Sequence, residues 1–183
     1  SLLSEVPKAY HTQINDILLT ALTLAISTWT GKDNILLNLE GHGREEIIEH
    51  TDLSRTIGWF TSLFPVSLTL PRTEKLGETI KSLKEQLRQI PNKGIGYGML
   101  RYLTKDSKLQ DKLQSLPHAS ISFNYLGQFS DTFQEDNLFR SASGSQGDSQ
   151  SRKGDRQHLL DISGSITKDE LHKIFIPEDK LEE

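Results

Sequence analysis

The stretch Glu40-Gly41-His42-Gly43-Arg44-Glu45 follows a run of strand-like residues from Asn34 to Leu39, and the other patterns of the chain are arranged around it. Its two glycines allow a tight turn and a close approach of the backbone to a ligand. A carboxylate at the end of a buried strand is where an enzyme places a general base. On the pattern alone, a strand followed by a polar turn is an equally good interpretation.

The residues before this stretch alternate in the way that predicts a β-strand. One face carries Ile35, Leu37 and Leu39, and the other carries Leu36, Asn38 and Glu40. Leucines on both faces indicate a strand inside a sheet. If the second face lines a tunnel, partial removal from water would make Glu40 a base that works near neutral pH.

Length and composition exclude several classes of protein. The chain has 183 residues, enough for one domain or for one lobe of a larger one. A net charge of −4 gives no basic patch for nucleic acid. The lack of cysteine excludes disulfides and thiolate catalysis and favours a cytoplasmic location. The start lacks a signal peptide and an initiator Met, so we expect a piece of a longer protein.

Helical periodicity predicts two longer helices. The first covers residues 12–30, with Thr12 as N-cap and Gly31 after its last turn. Its predicted buried stripe is Ile14, Ile17, Leu18, Ala21, Leu22, Ala25 and Trp29. Asp16 lies in the first turn, where a structural role is favoured over catalysis. The second runs from the capping residue Thr73 to Gln89, with its lysines, including Lys84, on the wet face.

The remaining patterns predict short strands and loops. Strands are expected at Phe64–Leu70, with Pro65 marking an edge, a start or a bulge, and at Ala119–Tyr125, where one face carries small polar side chains. A hairpin is expected from His158–Ile166 and Leu171–Ile176. The other expectations are short helices at 99–103 and around Leu109 and Leu113, a mobile loop at 141–155, and a frayed tail at 177–183.

Nucleotide, metal and hydrolase sites have little support in the sequence. The loop Gly94-Ile95-Gly96-Tyr97-Gly98 follows a helix rather than a strand, and no Gly-Lys-Ser/Thr comes after it. The six histidines form no His-Glu-x-x-His or similar pair, so no metal site is predicted. The sequence also lacks a Gly-x-Ser-x-Gly nucleophile elbow.

Five motifs, read together, resemble the epimerization domains of nonribosomal peptide synthetases, which are members of the condensation-domain superfamily. They are Asn15-Asp16-Ile17-Leu18-Leu19-Thr20-Ala21, the stretch Glu40 to Glu45, Arg55-Thr56-Ile57-Gly58-Trp59-Phe60-Thr61-Ser62, the stretch Pro91 to Gly98, and Phe123-Asn124-Tyr125-Leu126-Gly127-Gln128. They occur in the family's order and span residues 15–128. The Glu-Gly-His-Gly-Arg-Glu form favours epimerization over peptide-bond formation.

The resemblance implies an α/β, chloramphenicol-acetyltransferase-like fold of two lobes around a tunnel. The first lobe of that family carries His-His-x-x-x-Asp-Gly with the catalytic histidine, and this motif is not in the sequence. Residues 1–183 are therefore expected to form the C-terminal lobe alone, a two-layer α+β sandwich with helices packed on a mixed sheet. An isolated lobe exposes apolar surface, so self-association is expected as a possibility.

The resemblance also implies a reaction. The family moves the α-proton of an aminoacyl or peptidyl thioester, which hangs on the phosphopantetheine arm of a carrier protein, from one face of the carbon to the other. This assigns Glu40 to one side of the carbon and the first lobe's histidine to the other. Asn124 and Tyr125 are expected to orient the thioester or enolate, and Arg44 to hold the motif's carboxylates by a bidentate pair. His42 is expected to be structural, and the remaining candidates for substrate binding or motif support are Arg55, Trp59 and Tyr97.

Two rival functions stay open. One is a condensation domain proper, which joins two carrier-bound acyl groups. The other is a non-catalytic lobe that serves as scaffold and carrier-docking surface. The chain itself is expected to bind no cofactor and no metal, and to be inactive as an isolated fragment because half of the catalytic set is missing.

Overall fold

The structure, a computed structural model, describes residues 5–45, 47, 49–128, 155–167 and 170–172. The chain divides into two compact units, Ser1–Ala119 and Ser120–Glu183. The first contains α1 (Glu5–Tyr10), α2 (Ile14–Thr30), β1 (Asn34–Gly41), β2 (Ser62–Thr69), α3 (Leu76–Arg88), a 3₁₀ turn (Pro91–Gly94), α4 (Tyr97–Leu103) and α5 (Ser107–Gln114). The second contains β3 (Ile121–Gln128), β4 (Leu160–Thr167) and β5 (Glu170–His172).

The first unit is built on an antiparallel ladder between β1 and β2. Leu37 lies opposite Val66 and Leu39 opposite Phe64, and the face that carries these residues is buried. Helix α2 packs against β1 and α3 against β2, and the two helices contact each other. The predicted strands are therefore confirmed, and one face of their ladder forms the core of this unit.

Helix α2 begins and packs differently from the prediction. Its N-cap is Gln13 rather than Thr12, whereas the left-handed Gly31 at its C-terminus, with φ of 70°, confirms the predicted stop. Its buried residues are Ile17, Leu19, Thr20, Thr23 and Ile26. Of the predicted stripe, Ile17 is therefore confirmed, whereas Ala21, Ala25 and Trp29 are wrong because they are exposed. The helix is apolar on several faces, and the hydroxyls of its buried threonines donate to carbonyls one turn earlier, which permits their burial.

Helix α3 confirms the predicted amphipathic helix but not all of its faces. Thr73 lies before the N-cap Lys75, and its hydroxyl donates to the Glu78 carboxylate at 3.0 Å. Lys84, predicted on the wet face, is buried. Its Nζ donates to the Tyr10 carbonyl oxygen at 3.2 Å, because α1 covers this side of α3.

The second unit pairs its strands in both directions. Strand β3 runs parallel to β4, and β4 runs antiparallel to β5. Parallel and antiparallel pairing together with packed helices confirm the predicted α/β class with a mixed sheet. The predicted hairpin is confirmed as far as His172, whereas residues 173–176, the tail at 177–183 and the predicted loop, apart from Asp155, lie outside the described residues.

The predicted helices at 99–103 and around Leu109 and Leu113 are confirmed as α4 and α5. Of the helices that the structure describes, not one has the length and apolar character needed to cross a bilayer.

Candidate active site

Glu40 lies near the end of β1, opposite Leu63 of β2. Strand alternation places it with Leu36 and Asn38 on the face opposite the buried core, and all three are half-buried. Within the described part of the chain, neither a hydrogen bond nor an ion pair reaches its carboxylate. The predicted position of Glu40 on the second face of the strand is therefore confirmed.

The loop after Glu40 is held close to the segment that precedes β2. Gly43 has φ of +63°, and a Cβ at this position would lie 1.5 Å from the Phe60 carbonyl oxygen. A Cβ at Gly41 would meet the Ser62 hydroxyl oxygen at 2.9 Å. Both glycines of the motif thus serve backbone packing within the protein.

Arg44 closes the 53–58 segment against the loop. Its guanidinium donates to the carbonyl oxygens of Leu53, Thr56 and Gly58 at 3.3, 2.6 and 2.9 Å. The same group lies 4.8 Å from the centroid of the Phe60 ring. The predicted bidentate pair with the motif's carboxylates is wrong, because the planar fork of donors is taken up by these carbonyls.

Glu45 joins the loop to the turn after α3. Its side chain is only 16% exposed, and its two oxygens lie 3.2 Å from His42 Nε2 and 2.9 Å from Lys93 Nζ. His42 Nδ1 accepts a hydrogen bond from the Arg44 backbone N–H at 3.0 Å, which leaves Nε2 to donate to Glu45. His42 thus makes the structural contacts that we expected of it. Sequence reasoning missed Lys93, because no pattern links its turn to this loop.

The turn that carries Lys93 has an unusual backbone. Asn92, Lys93 and Gly94 have φ values of 46°, 49° and 79°, three successive residues in the left-handed region. A Cβ at Gly94 would lie 2.3 Å from the Phe64 ring, so the turn rests directly on this side chain of β2. Residues held in this region cost free energy and persist only where their surroundings hold them.

A cavity of about 430 Å³ opens between the loop and the turn. It is lined by His42, Arg44, Glu45, Ile47, Asn92 and Lys93. In the ranges that the structure describes, no three His, Asp or Glu residues cluster as metal ligands. The lining of the cavity therefore combines hydrogen-bond donors with the Glu45 carboxylate, whose side chain is 16% exposed.

The side chains of three other candidates take no part in the contacts described above. Arg55 and Trp59 are exposed, Trp59 to 86%. The Tyr97 hydroxyl accepts a hydrogen bond from Arg101 Nη1 at 3.1 Å. Tyr97 therefore contributes to the packing of α4 through this contact.

Asn124 and Tyr125 belong to β3 of the second unit. Asn124 lies opposite Ser163 and Tyr125 opposite Gly164, and both side chains are half-buried. Burial raises the pKa of the Tyr125 phenol above its ordinary value of 10.0. Neighbouring strand residues point to opposite faces, and the irregularity of β3 comes only after Tyr125, so the two side chains do not lie side by side.

This fold, with its acid–glycine–histidine loop at the end of β1, is that of a condensation domain. The condensation-domain family model matches residues 1–175, and the chain belongs to this family. The epimerization domain from the third module of tyrocidine synthetase B is 48% identical, with a TM-score of 0.81 over 93% of this chain and 37% of that one. A condensation domain of the calcium-dependent antibiotic synthetase, 12% identical with a TM-score of 0.51 over 68% of this chain and 26% of that one, shares the fold.

Curated relatives belong to peptide synthetases. A linear gramicidin synthase protein of Brevibacillus parabrevis is 48% identical over 100% of this chain, which spans 2% of that protein. Gramicidin S synthase 1 of Brevibacillus brevis is 47% identical over 95% of this chain and 16% of its own length. Surfactin synthase subunit 1 of Bacillus subtilis is 46% identical over 93% and 5%. The resemblance to this superfamily is thereby confirmed.

Proposed function

We propose that this chain supplies one side of the active site of an epimerization domain, which interconverts L- and D-aminoacyl or peptidyl thioesters on a carrier protein. Glu40 carries the proposal, because its half-buried carboxylate accepts no hydrogen bond from the described residues and lies on the face of β1 away from the core. Glu40 lies directly before a loop that short contacts hold in place, and a general base must be held in position in this way.

The chemistry requires two proton-transfer groups on opposite sides of one carbon. Glu40 removes the α-proton of the thioester or returns one to the enolate, and a second group does the converse on the other face. We assign the second group to the histidine of the first lobe, which the resemblance implies. Asn124 is the candidate to orient the thioester oxygen, and Tyr125 stays a candidate from the opposite face of β3.

Several features favour epimerization over condensation. The Glu-Gly-His-Gly-Arg-Glu stretch is the form that the resemblance links to epimerization. The tyrocidine epimerization domain is 48% identical to this chain, whereas the condensation domain of the calcium-dependent antibiotic synthetase is 12% identical. The complete domain would add a first lobe and receive the phosphopantetheine arm from a carrier protein. The cytoplasmic location of the protein stays a prediction.

The test is Glu40→Gln in the complete domain that contains this chain. The substitution keeps the shape of the side chain and removes its basicity, so epimerization of a loaded carrier thioester should fall roughly 10²–10⁴-fold. Together, the D/L ratio of the released product and the uptake of solvent deuterium at Cα measure the removal of the α-proton and the return of a proton. Glu49→Gln, at an exposed position, is the matched control and should leave the rate unchanged.

Three outcomes would contradict the proposal. Near-full epimerization by the Glu40→Gln variant would remove Glu40 from the mechanism. Amide formation without D/L interconversion by the unaltered domain would favour a condensation domain proper. Detectable epimerization by residues 1–183 alone would contradict the expectation that the first lobe supplies half of the catalytic set.

A further inference from the structure

We propose that Lys93 is a positioning residue for Glu40, acting through Glu45. The inference rests on the proposed function, since it concerns how the base is held. Lys93 lies in the 91–94 turn, far along the sequence from the 40–45 loop, yet its Nζ is 2.9 Å from Glu45 Oε2. This ion pair is a direct tie between the turn and the loop that follows Glu40.

The Glu45 end of this tie is largely removed from water. The Glu45 side chain is 16% exposed, so its charge requires partners, and the described ones are Lys93 and His42. Removal of the partner of a largely buried charge is costly, because the remaining carboxylate must then reach water. Without Lys93, we expect Glu45 to swing toward water and to carry the backbone of the loop with it.

The other end of the tie is strained and seated on the sheet. Asn92 and Lys93 both adopt positive φ, of 46° and 49°, which non-glycine residues disfavour. Gly94 rests on the ring of Phe64, and Phe64 lies opposite Leu39, the residue just before Glu40. The turn is therefore anchored, on the buried face of the ladder, to the rung next to the one that carries Glu40.

These contacts form a closed frame that includes the backbone of Glu40. The chain runs from Glu40 to Glu45, the ion pair crosses to Lys93, and the turn returns through Phe64 to the rung beside Glu40. A frame of this kind restricts the direction in which the carboxylate approaches a substrate. Misplacement of a reacting group by about 1 Å can cost roughly 100-fold in rate.

The experiment replaces Lys93 in the complete domain by Met, which keeps the stem and removes the charge, and by Arg, which keeps the charge. For Lys93→Met we expect kcat for epimerization to fall roughly 10- to 100-fold, with KM for the loaded carrier unchanged. Hydrogen exchange of the amides of residues 41–45 should accelerate. Lys93→Arg should retain most of the rate, and Lys105→Met, at an exposed loop position, is the matched control.

A charge exchange distinguishes positioning from simple loss of stability. The double variant Glu45→Lys/Lys93→Glu should recover part of the rate that Glu45→Lys alone loses, because the ion pair is restored in reverse. A Lys93→Met variant with normal kcat and unchanged loop exchange would overturn the proposal. A fall in kcat that parallels a fall in thermal stability, and that neither Lys93→Arg nor the charge-exchanged double variant restores, would also overturn the proposal.

The Glu40→Gln variant, assayed in parallel, separates this proposal from the proposed function. If Glu40→Gln is inactive and Lys93→Met is normal, only the positioning role fails. If Glu40→Gln retains its rate, the assignment of Glu40 as the base fails. A slow Lys93→Met variant would then mean that the rate depends on another group in this frame.

Discussion

The two faces of β1 differ in how they are specified. One face carries Leu37, which is fully buried and opposite Val66 under the helices. The other carries Glu40, half-buried and opposite the partly exposed Leu63. Non-directional apolar packing fixes the first face, whereas ion pairs and hydrogen bonds in the following loop fix the surroundings of the second.

This difference separates stability from function along a single strand. The closed face of β1, which carries Ile35, Leu37 and Leu39, tolerates apolar side chains that fill its volume. Substitutions that do not fill this volume lower the free energy of unfolding. The open face, which carries Leu36, Asn38 and Glu40, contributes less buried area, and substitutions there should change the geometry of the proposed base. Substitutions at neighbouring positions should therefore affect different measurements.

The largest expected effect on stability comes from the closed face. Leu37→Ala in the complete domain should lower the free energy of unfolding by about 2–5 kcal/mol, because it leaves a cavity in the core. Leu36→Ala is the matched control on the open face, where the side chain is half-buried, and should cost about 1 kcal/mol. Denaturant unfolding measures both. Equal costs at the two positions would show that the faces are not distinguished by burial.

The closed face could be predicted from the sequence, and the open face only in part. Alternation placed Ile35, Leu37 and Leu39 together, and burial confirms this. Helical periodicity alone did not predict the buried face of α2, because apolar residues lie on several sides of this helix. Its buried threonines satisfy their hydroxyls within the helix. It failed again at Lys84, because its partner Tyr10 lies on a helix that is distant in sequence.

The second prediction concerns the loop beside the open face. Gly43→Ala should lower the free energy of unfolding by about 1–3 kcal/mol beyond the backbone strain that its control shares, and displace the loop, because the new methyl group meets the Phe60 carbonyl oxygen. Gly31→Ala is the control: φ is again positive, at +70°, but nothing lies within 4 Å, so only backbone strain of about 1–2 kcal/mol remains. Epimerization should be impaired by the first variant alone. Equal activity in the two would mean that the base does not depend on this loop.

The contacts of the motif loops needed the structure for a physical reason. The Arg44 guanidinium satisfies three backbone carbonyls, and backbone acceptors leave no trace in a side-chain pattern. The tie from Glu45 to Lys93 depends on where a turn after α3 returns to the sheet. Glu40 could be named as a candidate because the strand periodicity and a family motif both point to it, and its role stays a prediction.

The smallest expected effect concerns pH and the helix that covers the closed face. Asp16, in the first turn of α2, accepts a hydrogen bond from the Gln13 backbone N–H at 2.7 Å. Burial raises the pKa of its carboxyl above the ordinary value of 3.8, against opposing effects of this hydrogen bond and of Arg88 and Lys84. The folded state then binds the proton more tightly than the unfolded state, so this group's contribution to stability falls as pH rises through the interval between the two pKa values.

Asp16→Asn should remove this dependence and keep the cap, since the amide oxygen can still accept from Gln13. The stability of the original protein relative to the variant should therefore decrease as the pH rises from below 3.8 through the raised pKa of Asp16, as thermal unfolding would measure. The trend should persist at high salt, because burial, unlike the attraction of Arg88 and Lys84, is not screened. A relative stability that increases with pH would mean that the hydrogen bond and the two cations outweigh burial, and that α2 is held at this end by charge rather than by packing.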